Sequence, residues 1–352
     1  MRIAVLGVGL IGGSIGLAAK RQDVEVVGFG RDPERLRHAR GLGAIDDAAG
    51  SLGEALEGAA ICFACAPVGA LPGLVSEALA AAGPDCVVSD VGSTKEALAR
   101  ELDDPRFVGG HPIAGAETSG VESARADLFD GAVWYLTPHH RSGGLLYERL
   151  HRFVADLGAR PVAVDPETHD RLVAVFSHLP HVLANVLASQ AAERLSEHSE
   201  ALRQVGPSFR DMTRVAGANT AMWSDIYAAN RSAIVAEVRR FRADLERVEE
   251  LLERGATSGW NDRAREDRRA LLEASVAGGP VHELRVTVPN RPGIVAQVAL
   301  ELGRAGVNIV DMALAPAEDM RSGAMSFWIA GDDAAERARG LITRLGFPVA
   351  AE

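Results

Sequence analysis

The sequence is short of what several protein classes require. Three cysteines in 352 residues cannot frame a disulfide-stapled fold. Cys62 and Cys65 spell C-x-x-C, but within AAICFACAPVG, which reads as a buried strand. Strand side chains alternate, so positions three apart point to opposite faces, which suits neither a redox pair nor a zinc knuckle. No apolar run looks long enough to span a bilayer. Basic charge is also scarce: the net charge is -11, so the basic face that a nucleic-acid partner demands is not expected. What remains, 47% apolar and 24% charged residues without low-complexity tracts, is an ordinary globular composition with room for two or three domains. The N-terminal MRIAVLGVGLIGGSIGLAAK has the early arginine and apolar stretch of a signal peptide but no convincing cleavage site. The cytoplasm is the expected compartment.

The glycines of that N-terminus have a better explanation. RIAVL reads as a short buried strand, and Gly7, Gly9 and Gly12 follow as G-x-G-x-x-G, with Leu10 and Ile11 inside the fingerprint and an apolar helix directly after. Such glycines permit a tight turn and close approach of backbone to a pyrophosphate, which rests on the helix N-terminus. Further strands at VEVVGF, AICFACAP and CVVSDV alternate with helical stretches. That alternation predicts an α/β fold, a doubly wound Rossmann-type parallel sheet over residues 1–165. At the end of the second strand stand Gly30, Arg31 and Asp32. A glycine followed by arginine makes room for a 2′-phosphate and tips the cofactor choice from NAD towards NADP, with Asp32 free to cap the next helix.

From about Pro166 the strands stop, and residues 166–276 read as an all-helical second domain. SHLPHVLANVLASQAAERL reads as an apolar helix buried nearly all round. Ile234, Val238, Phe241, Leu245, Val248 and Leu252 form a heptad seam, suited to a bundle contact or to a homodimer interface. After AGGP, residues 280–352 give a β-α-β-β-α-β order, a ferredoxin-like α+β third domain.

RFVGGHPIAGAETSG is the most distinctive stretch, because it places His111 between Gly109-Gly110 and Pro112. It reads as a loop that glycines and a proline brace, offering an imidazole as acid or base. DVGSTK, GGHPIAG, SHLPH and FRDMTR occur in that order, with Met222-Trp223 beyond. Together they resemble the prephenate dehydrogenase family over about residues 1–275. The resemblance implies oxidation of prephenate with NAD or NADP and loss of carbon dioxide to give 4-hydroxyphenylpyruvate. Close relatives use arogenate, and that substrate remains open, as does a non-catalytic amino-acid sensor on the same scaffold. It also implies His111 as the base that takes the ring hydroxyl proton, and Ser93 as its hydrogen-bonding neighbour or a helix cap. Arg214 corresponds to the arginine that pairs with a substrate carboxylate. His181 lines the substrate pocket, His178 supports it, and Glu117 and Trp223 cover its mouth. No metal is implied. The third domain, with RPGI before its helix and GVNI before the next strand, resembles the ACT domain, an amino-acid-sensing module. That resemblance implies L-tyrosine as effector, held near Arg291, Pro292, Gly293 and Asn308 where two copies meet. It further implies that a chain ending near Gly279 keeps activity and loses inhibition.

Overall fold

β1 (Arg2–Leu6) is apolar without alternation because both faces of its sheet are covered. It lies parallel between β2 (Glu25–Phe29) and β4 (Ile61–Ala64), with β3 (Asp47–Ala48) and β5 (Val87–Asp90) outside them, in the order β3-β2-β1-β4-β5. Helices α1 (Leu10–Ala19), α2 (Pro33–Gly41), α3 (Leu52–Leu56), α4 (Leu71–Ala81) and α5 (Glu96–Glu101) alternate with these strands. Cys62 joins the apolar core on one side of the sheet and Cys65 packs against the core on the other, as strand alternation requires. This computed structural model describes residues 1–115, 120–198, 205–274, 281–289, 291–316 and 322–350.

Beyond β5 the parallel sheet gives way to a second one. A second, three-stranded sheet contains β6 (Gly109–Pro112), β7 (Val133–Thr137) and β8 (Arg160–Ala163), with β6 antiparallel to β7 and β7 parallel to β8. Helix α6 (Gly144–Asp156) joins β7 to β8. Phe107 bridges Val88 in parallel, so the new sheet leads off β5.

The chain divides into two compact units, Met1–His169 with Gly278–Glu352, and Asp170–Ala277. Helix α7 (Pro166–Val173) ends the first run, and a π-helical turn over Ala174–His178 leads into α8 (Leu179–Leu195). The second unit continues as α9 (Pro207–Thr213), α10 (Thr220–Ala229), α11 (Arg231–Glu253) and α12 (Ser258–Ala274). Two expectations need correction here. The run Pro166–Leu195 is, by length and composition, apolar enough to cross a bilayer. Read from the sequence, this helix begins at Ser177, whereas the helical run starts at Pro166 and continues through the π turn, with Pro180 in the first turn after it. Nor is α8 buried all round: only His181 and Ala184 are buried, and Val186 is 58% exposed. The seam of α11 behaves alike, with Ile234 buried and Val238, Leu245 and Leu252 exposed. Apolar residues circle these helices, but one chain covers only part of them.

The C-terminal residues form β9 (Val281–Pro289), α13 (Ile294–Arg304), β10 (Ile309–Pro316), β11 (Ser322–Ala330) and α14 (Asp332–Arg344). The antiparallel sheet runs β10-β11-β9, and Val349 bridges Val286 on the free side of β9, which completes the expected order. This module is not a detachable tail. Gly303 of α13 lies so close to β8 that a Cβ would come within 1.8 Å of the Ala163 carbonyl oxygen. Arg152 Nε of α6 donates to the Met312 carbonyl of β10 at 3.1 Å, and Arg304 pairs with Asp165 at 3.4 Å. One apolar core runs from Ile3 through Phe153 and Val154 to Val295 and Phe347. A chain ending near Gly279 therefore loses part of its own core, and the expectation that it stays active does not survive the fold.

His151 of α6 is fully buried, and among the described residues neither ring nitrogen has a hydrogen-bond partner of good geometry. Burial, helped by the Arg152 charge and opposed in part by the Ile309 backbone, pushes its pKa down to about 3. His178 is lowered to about 4, chiefly by burial. Both are neutral in the folded state when the unfolded chain, with histidines near about 6.5, already binds protons. Stability is therefore full above that value and falls with pH down towards 3, by up to about 1.4 kcal/mol per pH unit for each group. His151→Leu is expected to hold or raise stability at pH 7 and to flatten this acid limb, as urea melts between pH 7 and 4 would report. An unchanged limb removes His151 as its source.

Candidate active site

The three fingerprint glycines do three different jobs. Gly7 has φ +99°, its N–H donates to Phe29 O at 2.8 Å, and a Cβ would strike Cys65 O at 2.2 Å. Gly12 packs helix on strand: its Cβ would meet Gly7 O at 2.2 Å and Val5 at 2.9 Å. Gly9 caps α1 without a side-chain hydrogen bond, and a Cβ there would meet nothing within 4 Å. Open space beside an uncapped helix start, where Leu10 and Ile11 bring the first amides, fits a pyrophosphate. At the end of β2, Asp32 accepts from the amides of Glu34 and Arg35 at 2.9 and 3.3 Å, capping α2. The neighbouring Arg31 is exposed.

His111 stands on β6, not on a loop, paired opposite Tyr135 of β7. The glycines before it are forced by what lies beneath. A Cβ on Gly110 would meet Asp90 O at 2.6 Å and Ser89 Oγ at 2.8 Å, and one on Gly109 would meet Thr137 Oγ1 at 2.3 Å. Asp90 is completely buried and forms an ion pair with the equally buried Lys95. Its carboxylate also accepts from Gly92 N at 2.8 Å and Gly110 N at 3.1 Å. The bend between these partners carries Ser93, half-buried. Ser93 does not cap a helix: α5 begins at Glu96, and its cap residue Lys95 makes no side-chain cap bond.

His111 Nδ1 lies 2.8 Å from Nε2 of His169, with the rings edge to face at 65°. His169 is fully buried on α7, and Tyr135 meets it edge-on at a centroid distance of 5.4 Å. Asp165 and Pro166 place it by starting the helix: the Asp165 carboxylate accepts from Thr168 N at 2.9 Å. The Asp-Pro start was legible in the sequence, but a contact 58 residues from His111 was not.

The second unit gathers its own cluster. His181 stacks on Trp223 at 3.5 Å and 2°, and its Nδ1 meets the Tyr227 hydroxyl at 2.5 Å and the Asn185 amide at 3.1 Å. With two donors aimed at Nδ1, the proton belongs on Nε2, which is buried and has no hydrogen-bond partner among the described residues. Burial lowers the pKa of His181, so it serves as a neutral N–H donor. His178 sits behind, its Nδ1 3.1 Å from the Asn230 amide. Arg214 is exposed at the C-terminal cap of α9, not mid-helix. Glu117 lies outside the described residues. In the C-terminal module, Gly293 does not leave its helix start open. Its N–H donates to Ser142 O at 3.3 Å, and a Cβ would meet His140 O at 2.3 Å. Asn308 lies at the opposite end of α13 from Arg291 and Pro292, so within one chain these residues are not brought together.

Breaking the buried pair tests how the His111 strand is held. Lys95→Met leaves Asp90 charged and unpaired, at a cost of about 3–5 kcal/mol in urea unfolding. A loss below about 1 kcal/mol means that water or another cation compensates.

Residues 15–163 match the family model described as prephenate dehydrogenase, nucleotide-binding domain; residues 165–265 match its dimerization domain, and 282–337 match the ACT domain. The prephenate dehydrogenase of Bacillus subtilis (strain 168) is 30% identical, over 96% of this chain and 94% of that one. Among solved structures, Aquifex aeolicus prephenate dehydrogenase with hydroxyphenyl propionate and NAD+ is 28% identical, with a TM-score of 0.70 over 78% of this chain and 98% of that chain. Synechocystis arogenate dehydrogenase is 27% identical, with a TM-score of 0.64 over 78% and 97%. Alignment with the Bacillus enzyme over nearly the whole of both chains shows that this chain belongs to the prephenate dehydrogenase family.

Proposed function

We propose that this member of the family oxidises prephenate rather than arogenate, with His111 as the base. The nicotinamide, when bound, accepts the hydride from ring carbon C4, and the ring loses carbon dioxide. His111 takes the C4 hydroxyl proton, and the half-buried Ser93 hydrogen-bonds beside it. The observation that carries this reading is the support of His111: a strand fixed by the buried Asp90–Lys95 pair, at the end of the sheet that bears the glycine loop. Prephenate brings two carboxylates. Arg214 offers a guanidinium fork to one, and the unpaired Nε2–H of His181 offers a donor. A neutral imidazole gives no advantage to the amine of arogenate. Trp223, stacked on His181, and Glu117 are proposed to cover the mouth of the substrate pocket.

Asp32 spends its carboxylate on capping α2, so the exposed Arg31 is left to meet a 2′-phosphate, which favours NADP over NAD. The exposed apolar faces of α8 and α11, within the dimerization-domain match, support a homodimer. Prephenate and arogenate, each with NAD and NADP, followed by nicotinamide absorbance, test the assignment. Fastest turnover with arogenate reverses the substrate, and a preference for NAD removes the role of Arg31. Turnover in no pairing favours the sensor. His111→Asn is expected to keep cofactor affinity and lower kcat by about 10²- to 10⁴-fold; near-normal turnover removes His111 from the mechanism.

The C-terminal module supports regulation by an amino acid, with L-tyrosine the ligand to test. A cleft of about 330 Å³ opens where Arg291 and Pro292 face Leu145 and Arg149 of α6. The Arg291 guanidinium over apolar walls suits a carboxylate with an aromatic side chain, while Arg149 also engages the Asp85 carbonyl. Tyrosine is expected to inhibit non-competitively with prephenate, and Leu145→Arg, which fills the cleft, to raise the inhibition constant at least about tenfold. Purely competitive inhibition, unmoved by Leu145→Arg, places tyrosine in the active site.

A further inference from the structure

His169 matches no position singled out in the sequence, yet its Nε2 lies 2.8 Å from Nδ1 of His111. Between two neutral imidazoles, one nitrogen donates and the other accepts, so the proton of one ring fixes the tautomer of the other. If His169 Nε2 donated, the proton of His111 would stand on Nε2, and that nitrogen could take no other. If His169 Nε2 accepts, His111 carries its proton on Nδ1 and presents a bare Nε2. Only the second arrangement makes a base.

We propose that His169 is the positioning residue for His111: its Nε2 accepts from Nδ1–H of His111 and holds the tautomer whose Nε2 receives the substrate proton. The proposal rests on His111 being the base. Several features serve it. His169 is fully buried, so bulk water does not compete for its acceptor lone pair. Its backbone is fixed in the first turn of α7, where its N–H donates to Asp165 O at 2.9 Å. Its ring is held edge-on by Tyr135 from β7, whose own pKa burial raises, so that the phenol stays neutral beside it. The charged groups nearest in the helix are Asp165, which the Thr168 amide and Arg304 engage, and Asp170, next in sequence. When His111 becomes an imidazolium, the same bond is charge-assisted and stabilises it. The arrangement puts a neutral acceptor where a carboxylate often stands behind a catalytic histidine.

Two substitutions separate this role from simple packing. His169→Phe keeps an aromatic ring beside Tyr135 but deletes the acceptor. His169→Gln keeps an acceptor near the position of Nε2. His169→Phe is expected to lower kcat by about 10²- to 10³-fold with KM for prephenate and cofactor little changed, because the wrong tautomer is then unopposed. The acid limb of its kcat profile moves to lower pH, since the imidazolium has lost an acceptor. His169→Gln restores kcat to within about tenfold of wild type. The double variant His111→Asn/His169→Phe is no slower than His111→Asn alone, as for residues that act as one unit. The proposal is overturned if His169→Phe keeps kcat within about threefold with an unmoved limb. It is equally overturned if Phe and Gln are impaired alike and the double variant loses the sum of both effects. A near-normal His111→Asn sinks the base itself, whereas an impaired His111→Asn beside a near-normal His169→Phe sinks only the role of His169.

Discussion

Burying a carboxylate and an ammonium with no access to water is tolerable only if every lone pair and proton finds a partner. Asp90, at the end of β5, answers it by pairing with Lys95, and the amides its carboxylate recruits set the geometry around it. The Gly92 amide closes the bend that carries Ser93. The Gly110 amide draws the next strand against Asp90 so tightly that neither Gly109 nor Gly110 can bear a side chain. The residue after that contact is His111. A charge pair with no chemistry of its own thus fixes the segment on which the chemistry is proposed to depend.

Much of this architecture was legible. The glycine loop declares itself because each glycine answers a local steric demand in a short strand-turn-helix. The strand order of the C-terminal module declares itself by alternation and turn residues. Less visible was what depends on distant partners. His111 read as a loop residue because Gly-Gly and Pro are turn residues in isolation; here the glycines serve close packing within a strand. Ser93 read as a cap because a helix follows, yet the helix starts three residues later. Glycines 293 and 303 look like turn and helix punctuation, but both mark places where backbone meets backbone across the module boundary. His169 was out of reach, since helix signals fix its backbone and say nothing of the ring 58 residues away.

The docking of the C-terminal module changes what regulation asks of the fold. Ser142, whose carbonyl accepts from Gly293, is also hydrogen-bonded through its hydroxyl to Phe107 O at 3.4 Å, and Gly143 N donates to Pro105 O at 2.9 Å. Phe107 lies four residues before His111. Asp165 in turn both starts the helix of His169 and pairs with Arg304. The module therefore touches the supports of both histidines directly. A ligand that favoured one arrangement of these contacts would need no long-range relay, only two packings of unequal affinity.

The shared core also has a consequence for how the molecule is made. The nucleotide-binding unit is built from two segments, Met1–His169 and Gly278–Glu352, with the helical unit encoded between them. On the ribosome, the faces of α6 and β8 that receive α13 and β10 exist long before their cover does. At about 5–20 residues per second, synthesis of everything after His169 takes on the order of ten seconds or more. Throughout that interval an apolar surface stands open on an otherwise folded domain, a natural binding site for a chaperone and a point of entry for aggregation. Residues translated after the helical unit act as the lid of a domain whose body is translated before it.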